Sequence, residues 1–455
     1  MRYVFIGAVA AGTSAAAKAS RNDRNGEFVL YERDSFISYS SCGMPYYLGG
    51  EFKSREELAP RDEAYFKSAY GTEVKTRHEV LSINPKDKTI EVRRLDNGEI
   101  FTDHYDKLVI ATGASAYVPQ VEGSDREHVF ALRTLGDMDR IKAYLDTRSP
   151  KSAVLVGTGF IGLEMAESLV KLGLTVHLLD RKSRAVRILD EDMSGYVTDY
   201  LVEKGIHVHT SAVVLKIGEK EVTLTDGRVL EADLVLYSTG VRPNTALAKD
   251  AGIEIGSTGA IKVDSYMQTS VDSIYACGDC IETPHLITGK PAYHPLGSTA
   301  NKTGRIAGDN LTGGSIRFRG ILGTSIFRIF DKTVAFSGLT EKEAVDNGFD
   351  VVVCHLEYPN KPEYMGGQDM IIKAVADKKD GRLLGAQIVG FEGVDKRIDV
   401  FVTAMTYGAK AEDLFHLDLA YAPPFATAKD PVMYTGMLLE SSLKKARGKS
   451  HGQKS

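Results

Sequence analysis

Short apolar runs, each closed by a glycine-rich turn, open two separate segments of this chain. Arg2–Ile6 is a β-branched and aromatic run that breaks at Gly7-Ala8-Val9-Ala10-Ala11-Gly12 and passes into an alanine-rich stretch that reads as helix. A second run, Phe28-Val29-Leu30-Tyr31, ends in Glu32. The same order returns later. Ala153-Val154-Leu155-Val156 leads into Gly157-Thr158-Gly159-Phe160-Ile161-Gly162, then a helix through Leu172, then the strand Thr175-Val176-His177-Leu178-Leu179 and Asp180. These are two βαβ units, each with a Gly-rich turn and an acidic residue about 20 positions on.

From residue 318 the pattern changes. Strand-like runs at Thr324–Ile329, Asp350–Leu356 and Asp369–Ala376 precede an amphipathic helix at Lys396–Tyr407, the grammar of an α+β domain without a nucleotide turn. The last residues, 446–455, are basic and rich in Ser and Gly, and read as a disordered tail. The N-terminus holds an apolar run, but its glycines and the helix running into Lys18 and Arg21 read as strand–turn–helix and not as an export signal. No apolar run reaches the roughly 18–20 residues that a membrane-spanning helix needs.

Composition narrows the class. With 455 residues, 43% apolar and 26% charged, the chain fits two or three packed domains. Its net charge of −5, with both signs mixed, argues against nucleic acid or an anionic membrane as partner. Four cysteines (Cys42, Cys277, Cys280, Cys354) are too few for a disulfide framework and point to a reducing, cytoplasmic setting.

The glycines allow a tight turn and let the backbone approach a pyrophosphate lying on the helix N-terminus, while the acid accepts hydrogen bonds from a ribose diol. Val9 stands where the first turn's second glycine is expected; the second turn has Gly157, Gly159 and Gly162. Asp180 favours NADH, and the basic Arg181, Lys182 and Arg184 that follow leave NADPH possible.

Three further segments complete a set. Lys107–Ala114 is a strand that turns at Ala111-Thr112-Gly113, Leu234–Thr239 runs into Gly240, and Ser273–Ala276 runs into Cys277-Gly278-Asp279. Together these segments resemble the pyridine nucleotide-disulfide oxidoreductases, over nearly the whole chain. The resemblance implies two Rossmann-like domains, one for FAD (1–115 and 245–318) and one for NAD(P)H (116–244), and an α+β dimerisation domain (319–445). Gly7, Gly12, Glu32, Arg33, Ala111, Thr112, Gly113, Gly278, Asp279 and Ala300 would then hold FAD, Asp279 through the ribityl chain. Gly157, Gly159, Phe160, Gly162, Glu164, Asp180 and Gly240 would serve NAD(P)H.

Within that family many members carry a redox cysteine pair; here Tyr47 occupies the second position, and Cys42 stands alone as in the single-cysteine branch. That branch holds coenzyme A-disulfide reductases, persulfide reductases, NADH oxidases and NADH peroxidases. The peroxidases and many oxidases have a histidine in the first turn where this chain has Ala10. Cys42-Gly43-Met44-Pro45-Tyr46 and Asp418–Phe425 are similar to motifs of the coenzyme A-disulfide and persulfide reductases. By that resemblance Tyr421, with Tyr364 as the second such tyrosine, reaches the partner subunit's cysteine in a homodimer. Ser14, Lys18, Arg21, Ser38 and Asn301 fall where those reductases contact coenzyme A, and Ser41 replaces an asparagine often found there.

A helix beginning near Pro45 would place Cys42 at its positive end and lower the thiol pKa below its free value of about 8.5. The expected function is an FAD-dependent NAD(P)H reductase of coenzyme A disulfide or persulfide acting through Cys42. The alternatives are an NADH oxidase cycling Cys42 through sulfenic acid, and a redox-sensing binding protein. Cys277 and Cys280 imitate a metal pair, but no second pair with zinc spacing exists, so no metal is expected and both read as packing residues.

Overall fold

The structure, a computed structural model, describes residues 1–451, with side chains as far as residue 446. Three five-stranded sheets organise the described residues. The first has the order Ile274–Ala276, Lys107–Ile110, Arg2–Ile6, Glu27–Tyr31, Thr72–Lys75, all parallel. The second has the order His207–His209, Thr175–Leu179, Ser152–Val156, Leu234–Tyr237, Val129–Ala131, also parallel. Strands such as Leu234–Tyr237 are buried along their length, as expected where both faces of a parallel sheet are covered. That is why their sequences read as unbroken apolar runs.

The chain crosses from the first sheet to the second and back through one antiparallel ribbon, Ala114–Ala116 against Val241–Pro243. Asn244 fastens the crossing. Its amide donates to the Thr112 carbonyl (2.8 Å) and its carbonyl accepts from the Thr112 hydroxyl (2.7 Å).

The third sheet is antiparallel, in the order Ser325–Ile329, Lys332–Gly338, Leu383–Gly390, Asp369–Asp377, Val351–Pro359, with helices Val394–Thr406 and Pro431–His451 packed on it. The sequence showed three of these strands. Leu383–Gly390 escaped because glycines interrupt its pattern: a Cβ at Gly385 would lie 1.9 Å from the Leu339 carbonyl oxygen. Glycine is required there by close backbone approach, and it hides the strand.

The expected disordered tail is corrected in part. Residues 446–451 continue helix Pro431–His451, whose Lys444 pairs with Glu440 one turn back. The rest of that segment, 452–455, lies outside the described residues.

Two helices from distant parts of the chain set the shape of the first unit. Ala11–Asn22 and Gly297–Leu311 pack so closely that a Cβ at Gly304 or Gly308 would sit 2.3 or 2.2 Å from the carbonyl oxygens of Ala11 and Ala15. Their approach brings Ser14 within 2.7 Å of Asn301.

Candidate active site

At the first turn, Gly7 has φ +102°, and a Cβ there would meet the Ala111 carbonyl oxygen at 2.3 Å; one on Gly12 would meet the Gly7 oxygen at 1.8 Å. The strand therefore bends straight into helix Ala11–Asn22. No side chain caps this helix and its first turn holds no acidic residue, so its N–H groups face outward unopposed. Glu32 is buried and accepts from the backbone N–H of Ala8 (2.7 Å) and Asp34 (2.9 Å). Burial pushes its pKa up while those bonds pull it down. Arg33 beside it is exposed. Gly278, at φ +81°, touches the same turn from the other side: a Cβ there would lie 2.7 Å from Ala11 Cβ. Asp279 follows and pairs with Arg133 (2.7 Å), a residue that carries no motif signal in the chain. Ala300 is buried in the first turn of helix Gly297–Leu311.

The second turn repeats this design. Cβ atoms on Gly157 and Gly162 would lie 2.4 and 2.1 Å from the Ser238 and Gly157 carbonyl oxygens, whereas one on Gly159 would find protein no nearer than 3.8 Å. Gly159 thus keeps space for a ligand, at the uncapped start of helix Phe160–Lys171. Asp180 is buried and already engaged: the Thr158 hydroxyl donates to it at 2.5 Å, the Lys182 N–H at 2.9 Å, and Arg187 lies 3.5 Å away. Thr158 also accepts from the N–H of Val186 (3.0 Å), a β-branched residue held at φ +49°. Such strain marks a loop over-determined by its surroundings. Gly240, at φ +102°, sits at the crossing ribbon, where it accepts from the Tyr117 N–H. Both turns thus fit a dinucleotide: tight glycine bends, uncapped helix starts and a buried carboxylate at the neighbouring strand end.

Cys42 lies in the 3₁₀ turn Ser41–Gly43, ahead of the five-residue helix Met44–Leu48. It is exposed; Cys277, Cys280 and Cys354 are buried, and all four thiols are free. The helix start does not lower its pKa as expected. The protein wall behind the sulfur pushes it up, the Glu164 carboxylate adds to this, and Ser41 and Arg133 pull weakly the other way. A five-residue helix has too small a dipole to compete.

Helix Phe160–Lys171 backs this segment. Ser168 donates to the Pro45 carbonyl (2.8 Å), and the Tyr46 hydroxyl donates to Glu164 (3.0 Å). Burial raises the Glu164 pKa to about 7. Phe160 packs against Phe327 and Phe336 of the third sheet, at 5.4 and 6.3 Å between ring centres. Three units therefore meet behind the thiol.

A cleft of about 640 Å³ gathers Ser14, Arg21, Ser38 and Asn301 from the expected set and adds Arg61, Tyr70 and Arg305. Its wall includes Tyr39 and Ser40, which lead into Cys42. Arg305 falls one helical turn after Asn301, a spacing that would have revealed it; Arg61 and Tyr70 carry no such signal. Lys18 does not line the cleft, because Asp309 holds it at 2.9 Å. Tyr364 and Tyr421 lie on the C-terminal domain, 76% and 54% exposed, far more open than core tyrosines.

Among the described residues no helix is long and apolar enough to cross a membrane, and no group of three or more His, Cys, Asp or Glu is arranged for a metal ion.

This architecture defines an oxidoreductase scaffold with two dinucleotide folds and one exposed thiol at their junction. Residues 1–293 match the pyridine nucleotide-disulphide oxidoreductase model and residues 324–431 its dimerisation domain, and the chain belongs to that family. It is 38% identical over 443 residues to the NAD(P)H sulfur oxidoreductase (CoA-dependent) of Pyrococcus furiosus, covering 96% of this chain and 99% of that one. Among solved structures it is similar to a NAD-dependent persulfide reductase from A. fulgidus (39% identity, TM-score 0.95, 98% of this chain and 84% of that one). It is also similar to the reduced CoADR-RHD of Bacillus anthracis (35% identity, TM-score 0.96, 98% and 81%).

Proposed function

We propose that this protein is a flavin-dependent NAD(P)H reductase of coenzyme A disulfide, coenzyme A persulfide or a related persulfide, acting through Cys42. The observation that carries the reading is the cleft. It runs from the guanidinium groups of Arg21, Arg61 and Arg305 to the residues preceding the one exposed cysteine. Guanidinium forks suit phosphate groups, and Tyr70, over which Arg21 lies at 5.1 Å, offers an aromatic face. A long, anionic thiol carrier fits that layout better than dioxygen, which needs no such surface. The names of the related proteins agree.

In the proposed cycle, Cys42 thiolate attacks one sulfur of the substrate's S–S bond. A new S–S bond forms to Cys42 and the other sulfur leaves as a thiolate, or as hydrosulfide from a persulfide. The first turn with Glu32 and Asp279 would hold FAD and the second with Asp180 would hold NAD(P)H; these would supply the two electrons that break the new S–S bond, returning Cys42 to its thiolate and releasing the bound sulfur as a second thiolate. Tyr421 or Tyr364 of a second copy donates a proton toward the leaving sulfur in a homodimer, which explains their exposure in one chain. Four free thiols suit a reducing, cytoplasmic compartment.

The test is anaerobic NADH or NADPH oxidation with coenzyme A disulfide, coenzyme A persulfide or no acceptor. Sulfur-dependent turnover is expected, lost by about 100-fold or more in Cys42→Ser while the flavin is still bleached by NADH. NADH consumption with oxygen alone would overturn the reading in favour of an oxidase.

A further inference from the structure

The Tyr46–Glu164 contact joins the thiol-bearing segment to helix Phe160–Lys171 of the second unit. Cys42 and Tyr46 are a helical turn apart, in the turn Ser41–Gly43 and the helix Met44–Leu48. The spacing between that helix and helix Phe160–Lys171 is fixed. Ser168 bonds the Pro45 carbonyl, and a Cβ on Gly49 would lie 2.7 Å from Ser168 Oγ. The Glu164 carboxyl is thereby held against the thiol-bearing segment with Tyr46 as its donor.

We infer that Glu164, oriented by Tyr46, is a positioning residue that sets the charge against which the Cys42 thiol ionises. The inference rests on the reading of Cys42 as the redox thiol.

Charges from several neighbouring elements bear on the pair. Glu167 raises the Glu164 pKa and Arg328, from strand Ser325–Ile329, lowers it. Arg328 lies over the Tyr46 ring at 5.4 Å and also pairs with Glu51. Lys171 is occupied by Glu51 and Glu167. On the side of the first sheet, Asp279 raises the Cys42 pKa and Arg133 lowers it. With its pKa near 7, Glu164 is neutral in mild acid and charged in mild alkali. Its ionised form opposes formation of a second negative charge on sulfur, and its neutral form does not. Removing the Tyr46 hydroxyl takes a bond from the charged carboxylate, so the carboxyl keeps its proton to higher pH.

The experiment follows Cys42 alkylation by iodoacetamide in the flavin-loaded protein, freed of any capping thiol and read by intact mass, from pH 5.5 to 8.5. Glu164→Gln is expected to react at the wild-type rate at pH 5.5 and about tenfold faster at pH 8, a shift of about one pK unit. Glu164→Asp should restore the wild-type profile in part. In Tyr46→Phe the bend in the pH profile of alkylation should move to higher pH than in wild type. A ratio of rates that is the same at every pH, or near one throughout, overturns the inference, since a merely structural role predicts no pH signature. If Glu164→Gln fails to retain flavin, the Tyr46→Phe profile decides alone. Alkylation reads the thiol and not turnover, so the outcome is separate from whether sulfur substrates are reduced.

Discussion

Arg397 offers the sharpest test of how the C-terminal domain holds its tyrosines. It is only 1% exposed, and its guanidinium is fully engaged. Nε and Nη2 reach the Asp430 carboxylate at 3.1 and 2.8 Å, Nη2 reaches the Asn360 carbonyl at 2.8 Å, and Nη1 reaches the Gly393 carbonyl at 3.0 Å. Asn360 closes the loop that carries Tyr364, through bonds to Gln368. Neighbouring Lys396 holds the Phe425 carbonyl in the Tyr421 segment. One helix turn thus ties down both tyrosine loops. Arg397→Met leaves a buried carboxylate with a single backbone donor, the Val432 N–H at 3.0 Å. Breaking such a pair costs about 3–5 kcal/mol, most of it from the charge left behind. The melting midpoint of a chain this long should fall by roughly 3–5 °C. Replacing both partners, as Arg397→Met with Asp430→Leu, should recover most of that loss, because no charge remains to be desolvated. Urea and thermal midpoints of the two singles and the double, with anaerobic turnover alongside, give the result. A single variant within about 1 kcal/mol of wild type, or a double no better than either single, would refute the reasoning.

Two further predictions concern the dinucleotide units. Gly304→Val drives a side chain into the Ala11 backbone, and overpacking of this kind costs about 1–3 kcal/mol; the expected sign is weaker flavin retention, measured by absorbance after dilution, and retention equal to wild type would count against the close helix contact. Thr158→Val removes the hydroxyl shared by Asp180 and the Val186 N–H, leaving both buried groups short of a partner at about 1–3 kcal/mol; KM for NADH should rise several-fold with flavin content unchanged, and an unaltered KM would show that the loop is held otherwise.

The two βαβ units were legible because their chemistry is local. A glycine that must bend within a carbonyl's reach, and an acid at the end of the next strand, stand at fixed short spacings, so Gly7, Gly12, Glu32, Gly157, Gly162 and Asp180 could be named from the chain alone. The lone Cys42 with Pro45 and Tyr46 was legible for the same reason. Leu383–Gly390 was not, because its glycines answer to Leu339, a neighbour brought close by the sheet and not by sequence. The pairing of Lys18 with Asp309, far along the chain, was not legible either.

The sequence by itself determined the class of fold and the two Gly-rich turns, and it singled out Cys42, the thiol the structure leaves exposed, all consequences of residues within a few tens of positions of each other. Only the tertiary structure decided the electrostatics of that thiol. Glu164, Arg133, Asp279 and Arg328 converge around the Cys42 segment from three separate sheets or their connections, and the short helix after Cys42 is too weak a dipole to outweigh burial and a neighbouring carboxylate. Local spacing fixes which groups are present; the Coulomb field at one sulfur depends on distances that only folding sets.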